Sequence, residues 1–474
     1  MQNRKKMALI LIVLGFFFIF SKFKHFIYHI KVQQLSPPVH KTIKQGLSTL
    51  FTGAYAGLTV EAKLGNDKIN SNKGIDYLLV SLKGDDMGGT SLGTKRLPLN
   101  LSIVIDRSGS MSGEKLENVK KAILQAAKLL EEGDFVSLVI YDTNVQTLYS
   151  DHFDYRKFTG IVSEIESGGS TYLEGGLREG LKNTQRVRFL NSPKYLSRVI
   201  LLSDGLANVG VTSPDKLGRI VEDSVGTDIV VSTIGVGSDY DENLMTKVAI
   251  AGGGNYYFMR DAYEADEIFA EEFEGLVKTV ATDIDVELDF NSGLELKRAI
   301  GYKMKSSRTF LPHDMYVGKT SNYLFEIASE NITPQKSELA KIKVSFNSVK
   351  SGKREMIVVP VNVAYVGEEV NPLQDDRVYQ EYMDIYLAQG LWQVDERLDK
   401  VKNFEAVSII TSLLREAEQA NTRLNGVYDD EVKDIKNKQD YVQNLGDSSV
   451  KDSVSGRLFK KENQAVQYDK LYNK

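Results

Sequence analysis

A short, dense apolar run that ends in an acidic, hydroxyl-rich loop constrains the fold of this chain more than any other stretch. Residues 101–105 are mostly apolar and β-branched, which is typical of a strand buried on both of its faces. Asp106, Ser108 and Ser110 follow at once, and residues 116–130 then carry apolar side chains at helical spacing. A carboxylate and two hydroxyls therefore lie on the loop at the carboxyl end of a strand, which is where open α/β sheets bind ligands.

The oxygen atoms of this loop favour a hard divalent cation. With neither thiolate nor imidazole beside them, they suit Mg2+, Ca2+ or Mn2+ rather than zinc or copper, and a hydroxyl-rich octahedral shell makes Mg2+ the first expectation. One carboxylate and two hydroxyls cannot complete such a shell, so other loops must contribute. Two loops are candidates: the Gly-rich turn 167–171 before a helix, and the turn that ends the apolar strand 199–202. The predicted metal ligands are Asp106, Ser108, Ser110, Thr171 and Asp204.

These residues resemble the metal-ion-dependent adhesion motif of the von Willebrand factor type A family. The DRSGS stretch at 106–110 resembles the family's Asp-x-Ser-x-Ser element, and Thr171 in GGST and Asp204 in LLSDG resemble its second and third elements. The resemblance covers roughly residues 99–280 and implies an α/β fold with a doubly wound, mostly parallel sheet. It also implies that the hydroxyls contact the metal, that the aspartates bind it directly or through water, and that a partner's carboxylate completes the shell.

Taken singly, the same residues have simpler interpretations. An isolated Asp106 or Asp204 is typical of a helix cap or a turn, and Ser110 and Thr171 are equally suited to capping. A lone Asp-x-Ser-x-Ser element would be a weak signal, but the presence of all five residues together favours a metal site. Three further residues project from these loops and are our candidates for a rim that selects the partner: Arg107, Met111 and Tyr172. For each of these three, an ordinary surface position is the alternative.

The amino terminus carries the pattern of a membrane anchor, and the chain thereby resembles the bacterial membrane-anchored type of this family. Arg4, Lys5 and Lys6 precede the uncharged apolar run 7–20, and no small-residue cleavage site follows. The basic residues predict that the short end stays in the cytoplasm. We therefore expect an uncleaved signal anchor in a single-pass membrane protein whose body lies in the periplasm or at the cell surface. A cleaved signal peptide is the alternative, and it would still export the body.

Composition excludes several classes of function. The chain contains no cysteine, which excludes disulfides, thiol catalysis and cysteine zinc sites. Its net charge of −5 gives no electrostatic reason to expect nucleic-acid binding. None of the five histidines lies in the predicted metal loops, and the sequence carries no phosphate loop, serine-hydrolase elbow or zinc-protease motif. We therefore predict a binding protein rather than an enzyme.

Outside the metal loops, the pattern predicts strands and a helical hairpin. Apolar and polar residues alternate on both sides of the metal domain, which predicts one antiparallel β-sandwich with that domain inserted. Two apolar helical stripes with a break near Asp399 predict the hairpin. The predicted segments are 1–36 for a cytoplasmic stub and anchor, 37–97 for an N-terminal β segment, 98–281 for the metal-binding domain, 282–370 for a β-sandwich segment, 371–446 for the hairpin and 447–474 for a flexible tail.

Together these inferences predict a membrane-anchored, extracytoplasmic adhesion or interaction protein. It would use a bound cation, Mg2+ first and Ca2+ or Mn2+ otherwise, to capture an Asp or Glu carboxylate of a protein partner. Two alternatives from other classes stay open. The chain could be a scaffold or assembly subunit of a cell-envelope complex that acts through its hairpin. A hydrolase that uses metal-activated water ranks last.

Overall fold

The computed structural model of the protein describes residues 50–85, 96–191, 195–225, 229–260, 262–302, 304–332, 338–445, 450 and 454–472. The anchor predicted within residues 1–36 lies outside these ranges. Among the described residues, no helix combines the length and the apolar character needed to cross a bilayer.

Strands and helices alternate in the middle of the chain, and the described residues before this region, 50–85, form strands β1–β4 and their connections. The described strands are β1 (Leu50–Tyr55), β2 (Leu58–Leu64), β3 (Lys68–Asn70), β4 (Lys73–Gly84), β5 (Leu99–Asp106), β6 (Phe135–Tyr141), β7 (Val145–His152), β8 (Leu196–Ser203), β9 (Ile229–Val236), β10 (Gly253–Met259), β11 (Thr279–Phe290), β12 (Leu294–Ile300), β13 (Thr309–Phe310), β14 (Met315–Tyr316), β15 (Thr320–Glu330), β16 (Glu338–Ser348), β17 (Arg354–Asn362) and β18 (Ala364–Val366). The described α-helices are α1 (Glu114–Ala126), α2 (Tyr155–Ser163), α3 (Leu173–Asn191), α4 (Pro214–Val225), α5 (Glu242–Gly252), α6 (Ala262–Val277), α7 (Asp376–Asp399), α8 (Asn403–Arg423), α9 (Asp429–Asn444) and α10 (Val454–Tyr472).

A six-stranded sheet in the order β10-β9-β8-β5-β6-β7 lies at the centre of the α/β domain. All its pairings are parallel except that of β7 with β6. Every residue of β5 is buried, because Ile103 and Ile105 pack under α1, α2 and α6 whereas Val104 packs under α3, α4 and α5. Helices thus cover both faces, and the predicted doubly wound α/β fold is confirmed. The strand order reverses between β5 and β8, which is the switch point where such sheets bind ligands.

Two antiparallel sheets form a β-sandwich beside the α/β domain. One has the order β1-β2-β4-β15-β12 and the other β13-β11-β16-β17. In the first sheet, β4 precedes the α/β domain in the chain, yet it pairs with β15, which follows that domain, from Lys73 to Lys83. The α/β domain is therefore inserted between two neighbouring strands of one sheet. On the outer face of that sheet, Leu79 packs against Val378 and Ile385 of α7.

Helix α10 lies against the α/β domain and corrects one expectation from the sequence. The flexible tail predicted for residues 447–474 is wrong over Val454–Tyr472, which forms a helix. Tyr468 is fully buried and donates its hydroxyl to the carbonyl oxygen of Gly254 at 2.6 Å. Lys461 donates to the carbonyl oxygen of Tyr240 at 2.7 Å and lies 4.1 Å from the centre of that ring. Polar side chains form much of this interface, so apolar periodicity did not reveal it.

A buried ionic cluster joins α10 to α5 and α7. Lys460 and Lys461 are 3% and 2% exposed, and each donates to Glu242 at 2.6 Å. Lys460 also reaches the carboxylate of Asp399 at the end of α7, again at 2.6 Å. Burial opposes ionisation of Glu242, but the two lysines outweigh it and lower the pKa of Glu242 to about 2. The cluster therefore fixes three helices from distant parts of the chain against one another.

Asp395, one turn before Asp399 on α7, makes the stability of this region depend on pH. Burial raises the pKa of Asp395 from 3.8 to about 7, although Lys460 acts in the opposite direction. Because the folded-state pKa is the higher one, the stabilising contribution present below pH 3.8 is lost as the pH rises through 7. At pH 8, the free energy of unfolding of an Asp395→Asn variant should therefore exceed that of the parent by about 4 kcal/mol, and at pH 4 the two should be equal.

Matched urea titrations at the two pH values test this expectation. Glu396→Gln, an exposed acid next along the helix, serves as the control for loss of a charge. An equal gain at pH 4 and pH 8 would show that the side chain's shape, and not its ionisation, affects stability.

Candidate metal site

The carboxyl ends of β5 and β8 bring two of the predicted ligands together. These strands are adjacent and parallel, with Ile105 opposite Leu202, so Asp106 and Ser203 come next on their respective strands. The hydroxyl of Ser203 donates to Asp106 Oδ2 at 2.8 Å. Asp204 follows directly and is fully buried, as is Asp106. Strand pairing alone therefore places two buried carboxylates at one edge of the sheet.

The loop after β5 links the two carboxylates through its hydroxyls. Asp106 Oδ1 accepts a hydrogen bond from the backbone N–H of Ser108 at 2.8 Å, which folds the loop back over the strand end. Ser108 Oγ lies 3.1 Å from Ser110 Oγ, and Ser110 Oγ donates to Asp204 Oδ1 at 2.7 Å. Four of the five predicted ligands thus form one continuous hydrogen-bonded array.

Thr171 approaches the same array from the third loop. Backbone hydrogen bonds tie this loop to the first, from Gly109 N–H to the Gly169 oxygen at 3.0 Å and from Gly168 N–H to the Arg107 oxygen at 2.6 Å. A methyl group built on Gly205 would lie 3.2 Å from Ser110 Oγ and 3.4 Å from Thr171 Oγ1. Both hydroxyls therefore border the space that this glycine leaves open.

The two carboxylates of the site are buried, whereas one of its hydroxyl groups is exposed to solvent. Burial raises the pKa of Asp106, hydrogen bonds from Ser108 and Ser203 act against this, and the charge of Asp204 adds to it. Ser108 and Thr171 are also buried, whereas Ser110 is exposed. Lys115 compensates Asp204, since its ammonium lies 2.5 Å from Asp204 Oδ2.

The chemistry of these donors fits a hard cation. Two carboxylates and three hydroxyls are all oxygen ligands of the kind that Mg2+, Ca2+ and Mn2+ accept. In the described ranges, no group of three or more His, Asp and Glu side chains is arranged to hold a metal ion. Any cation at this edge of the sheet would therefore depend on the hydroxyls as well as on the carboxylates.

The three rim candidates differ in their surroundings. Met111 is fully buried in the core beneath α1, because a 3-10 turn over Gly109–Met111 directs it inward, so its assignment to the rim is wrong. Arg107 is partly exposed and pairs with Asp142 at 2.8 Å. Tyr172 is half-buried.

Sequence reasoning missed two residues beside the site. Leu206 follows the Asp204 turn and is 61% exposed, so this apolar side chain, unlike that of Met111, lies at the surface beside the metal loops. Lys115 stands at the start of α1 and contacts Asp204 from there. Neither carried a local signal, although an apolar residue directly after an Asp-Gly turn could have drawn attention to Leu206.

Comparison with known proteins agrees with this architecture. The sequence model of the von Willebrand factor type A domain matches residues 100–271. The human inter-alpha-trypsin inhibitor heavy chain H3 is 29% identical over 211 residues, which are 42% of this chain and 23% of that protein. The Escherichia coli protein YfbK is 28% identical over 258 residues, which are 52% of this chain and 44% of that protein. The chain thus spans less than half the length of these relatives.

Two solved structures share the fold across most of the chain. A von Willebrand factor type A protein from Catenulispora acidiphila aligns with a TM-score of 0.65 at 16% identity, covering 83% of this chain and 91% of that one. The ArnB paralog VWA2 from Sulfolobus acidocaldarius aligns with a TM-score of 0.56 at 18% identity, covering 87% and 98%. At these identities the likeness concerns the fold alone. Together, the match of the family model to residues 100–271, the doubly wound sheet and this likeness in fold show that the chain contains a von Willebrand factor type A domain.

Proposed function

We propose that this protein captures a protein partner through a divalent cation, Mg2+ in the first instance. The ligands would be Asp106, Ser108, Ser110, Thr171 and Asp204. Von Willebrand factor type A domains typically mediate protein–protein interaction. The observation that carries the proposal is the convergence of three separate loops, which surround one space with two buried carboxylates and three hydroxyls.

Each group has a separate part in this proposal. Asp106 and Asp204 supply two negative charges, which match the charge of a divalent cation, and the hydroxyls supply neutral oxygen ligands. When bound, the cation would supply a positive centre for an anionic ligand. Five protein donors leave one position of an octahedral shell unfilled. Ser110 is the exposed member of the set, so a partner's Asp or Glu carboxylate would approach from its side.

The placement of the histidines supports a binding role over catalysis. Among the described residues, His152 pairs with Phe135 at the beginning of β6, and His313 lines a small cavity with Arg198 near the beginning of β8. Both therefore lie at the amino-end edge of the sheet, opposite the metal loops. Neither histidine is therefore placed to accept a proton from a water molecule bound to a metal at the predicted site.

The apolar run 7–20 and the basic residues before it support a further proposal, that the chain is anchored in a membrane with its body outside the cytoplasm. Protease added to spheroplasts, in which the cytoplasmic membrane is intact and the outer layers are permeable, should then digest the body. Complete protection of the body there, with digestion after lysis, would contradict this proposal.

Thr171→Ala tests the proposed function without altering the charge of the site. Loss of one hydroxyl donor should weaken Mg2+ binding by about tenfold, measured by titration calorimetry. Capture of partners from an envelope extract should require Mg2+, fail in EDTA and decrease in the variant. Thr159→Ala, on the surface of α2, is the matched control. Equal capture in Mg2+ and EDTA, or an unchanged Mg2+ affinity in Thr171→Ala, would refute the proposal.

A further inference from the structure

We infer that Lys115 is a positioning residue that lowers the affinity of the site for divalent cations and stabilises its metal-free form. It does so by holding its ammonium group beside the carboxylate of Asp204. This inference rests on the proposed function, because it concerns the same site.

The two oxygens of Asp204 have different partners. Lys115 Nζ lies 2.5 Å from Oδ2, whereas Oδ1 accepts the hydrogen bond from Ser110 Oγ at 2.7 Å. Oδ1 is thus the oxygen that faces the hydroxyl loops, and Oδ2 faces away toward α1. Lys115 can therefore stay on Oδ2 while Oδ1 takes part in binding a cation.

The surroundings of Lys115 favour this position. Its side chain is 34% exposed, whereas that of Asp204 is fully buried. A methyl group built on Gly237, in the turn between β9 and α5, would lie 3.3 Å from Lys115 Cε. The glycine, whose φ of +73° also disfavours other residues, leaves room for the lysine to pass. Within the described ranges, no other basic side chain forms an ion pair with Asp204.

The ion pair between Lys115 and Asp204 changes the net charge of the site. Asp106 and Asp204 contribute two negative charges, and Lys115 reduces the total to one. The neighbouring Arg107 does not add to this, because it is paired with Asp142 at 2.8 Å. An incoming divalent cation therefore meets a site with one net negative charge, and the loaded site carries one net positive charge. That surplus favours an anionic partner group, at the expense of affinity for the cation itself.

The same pairing protects the metal-free fold. A buried carboxylate without a counter-charge is costly, and Asp204 is fully buried. Lys115 supplies that counter-charge when no cation is present. Removal of Lys115 should accordingly have two effects of opposite sign, with tighter cation binding and a less stable metal-free protein.

Mn2+ titration followed by electron paramagnetic resonance measures the first effect on the full chain. Lys115→Met should bind Mn2+ about tenfold more tightly than the parent, a factor typical of removing one nearby positive charge. Lys115→Arg should restore the parent affinity. Lys121→Met removes an exposed lysine from the same helix and should change the affinity less than twofold.

Thermal unfolding in EDTA measures the second effect on the same variants. Lys115→Met should melt at a lower temperature than the parent, with Lys121→Met unchanged. General damage to the fold would weaken Mn2+ binding and lower the melting temperature together, so the opposite signs distinguish the inference from damage. If the parent binds Mn2+ but Lys115→Met binds it no more tightly, the inference is overturned alone. If the parent binds no Mn2+, the proposed function is overturned and this inference with it.

Discussion

Replacing Asp106 with alanine is expected to abolish measurable binding of Mg2+ or Mn2+ while leaving the sheet folded. The variant removes one of the two carboxylates at the site, and we expect an affinity loss of at least about 100-fold, or about 3 kcal/mol. The fold should persist, because burial already raises the pKa of Asp106 and its ionised form is costly without a cation. Strand β5 stays held on both sides by β6 and β8. Calorimetric titration and circular dichroism in EDTA measure the two properties.

Asp106→Asn is the matched variant for this experiment. It keeps the shape of the side chain and an oxygen able to accept from the Ser108 N–H, but it carries no charge. A loss of binding similar to that of alanine would assign the effect to the charge. Parent-like affinity in both variants would remove Asp106 from the ligand set.

Glu242→Gln is expected to destabilise the protein by about 3–5 kcal/mol, the usual cost of removing one partner from a buried ion pair. The glutamine would leave Lys461 with the Tyr240 carbonyl oxygen and ring but without the nearby anion. Burial already lowers the pKa of Lys461, so its charge depends on that anion. Lys460 would retain Asp399. Chemical denaturation at pH 7 should therefore show an earlier transition, with α10 released from the α/β domain.

The pH dependence of this difference provides an internal check. Because the folded-state pKa of Glu242, about 2, is below its ordinary 4.5, the stabilising contribution is present above pH 4.5 and is lost as the pH falls toward 2. The gap between parent and variant should close over that interval. Glu462→Gln, which removes an exposed acid of α10 paired with Arg260, should cost less than about 1 kcal/mol. A Glu242→Gln variant as stable as Glu462→Gln would contradict the importance of the buried cluster.

The sequence alone was sufficient to predict the central sheet and the order in which the metal loops follow its strands. The apolar run of β5 indicated a strand buried on both faces, and the loop after such a strand lies at the ligand-binding edge of its sheet. Asp106 and Asp204 could be assigned to that edge because each stands where a parallel strand ends. Their convergence with Thr171 needed no knowledge of side-chain packing beyond the strand order that the family resemblance implied.

Only the tertiary structure decided which polar side chains are buried and what they pair with. The sequence of α10 is rich in charged and amide residues, which suggested a solvated tail, yet Lys461 lies buried against Glu242, 219 positions earlier in the chain. Lys115 reaches Asp204 across 89 positions, and a single 3-10 turn directs Met111 into the core. Apolar periodicity reports burial because apolar side chains need no specific partner. A buried charge is stable only beside its counter-charge, and that neighbour exists only once the chain has folded.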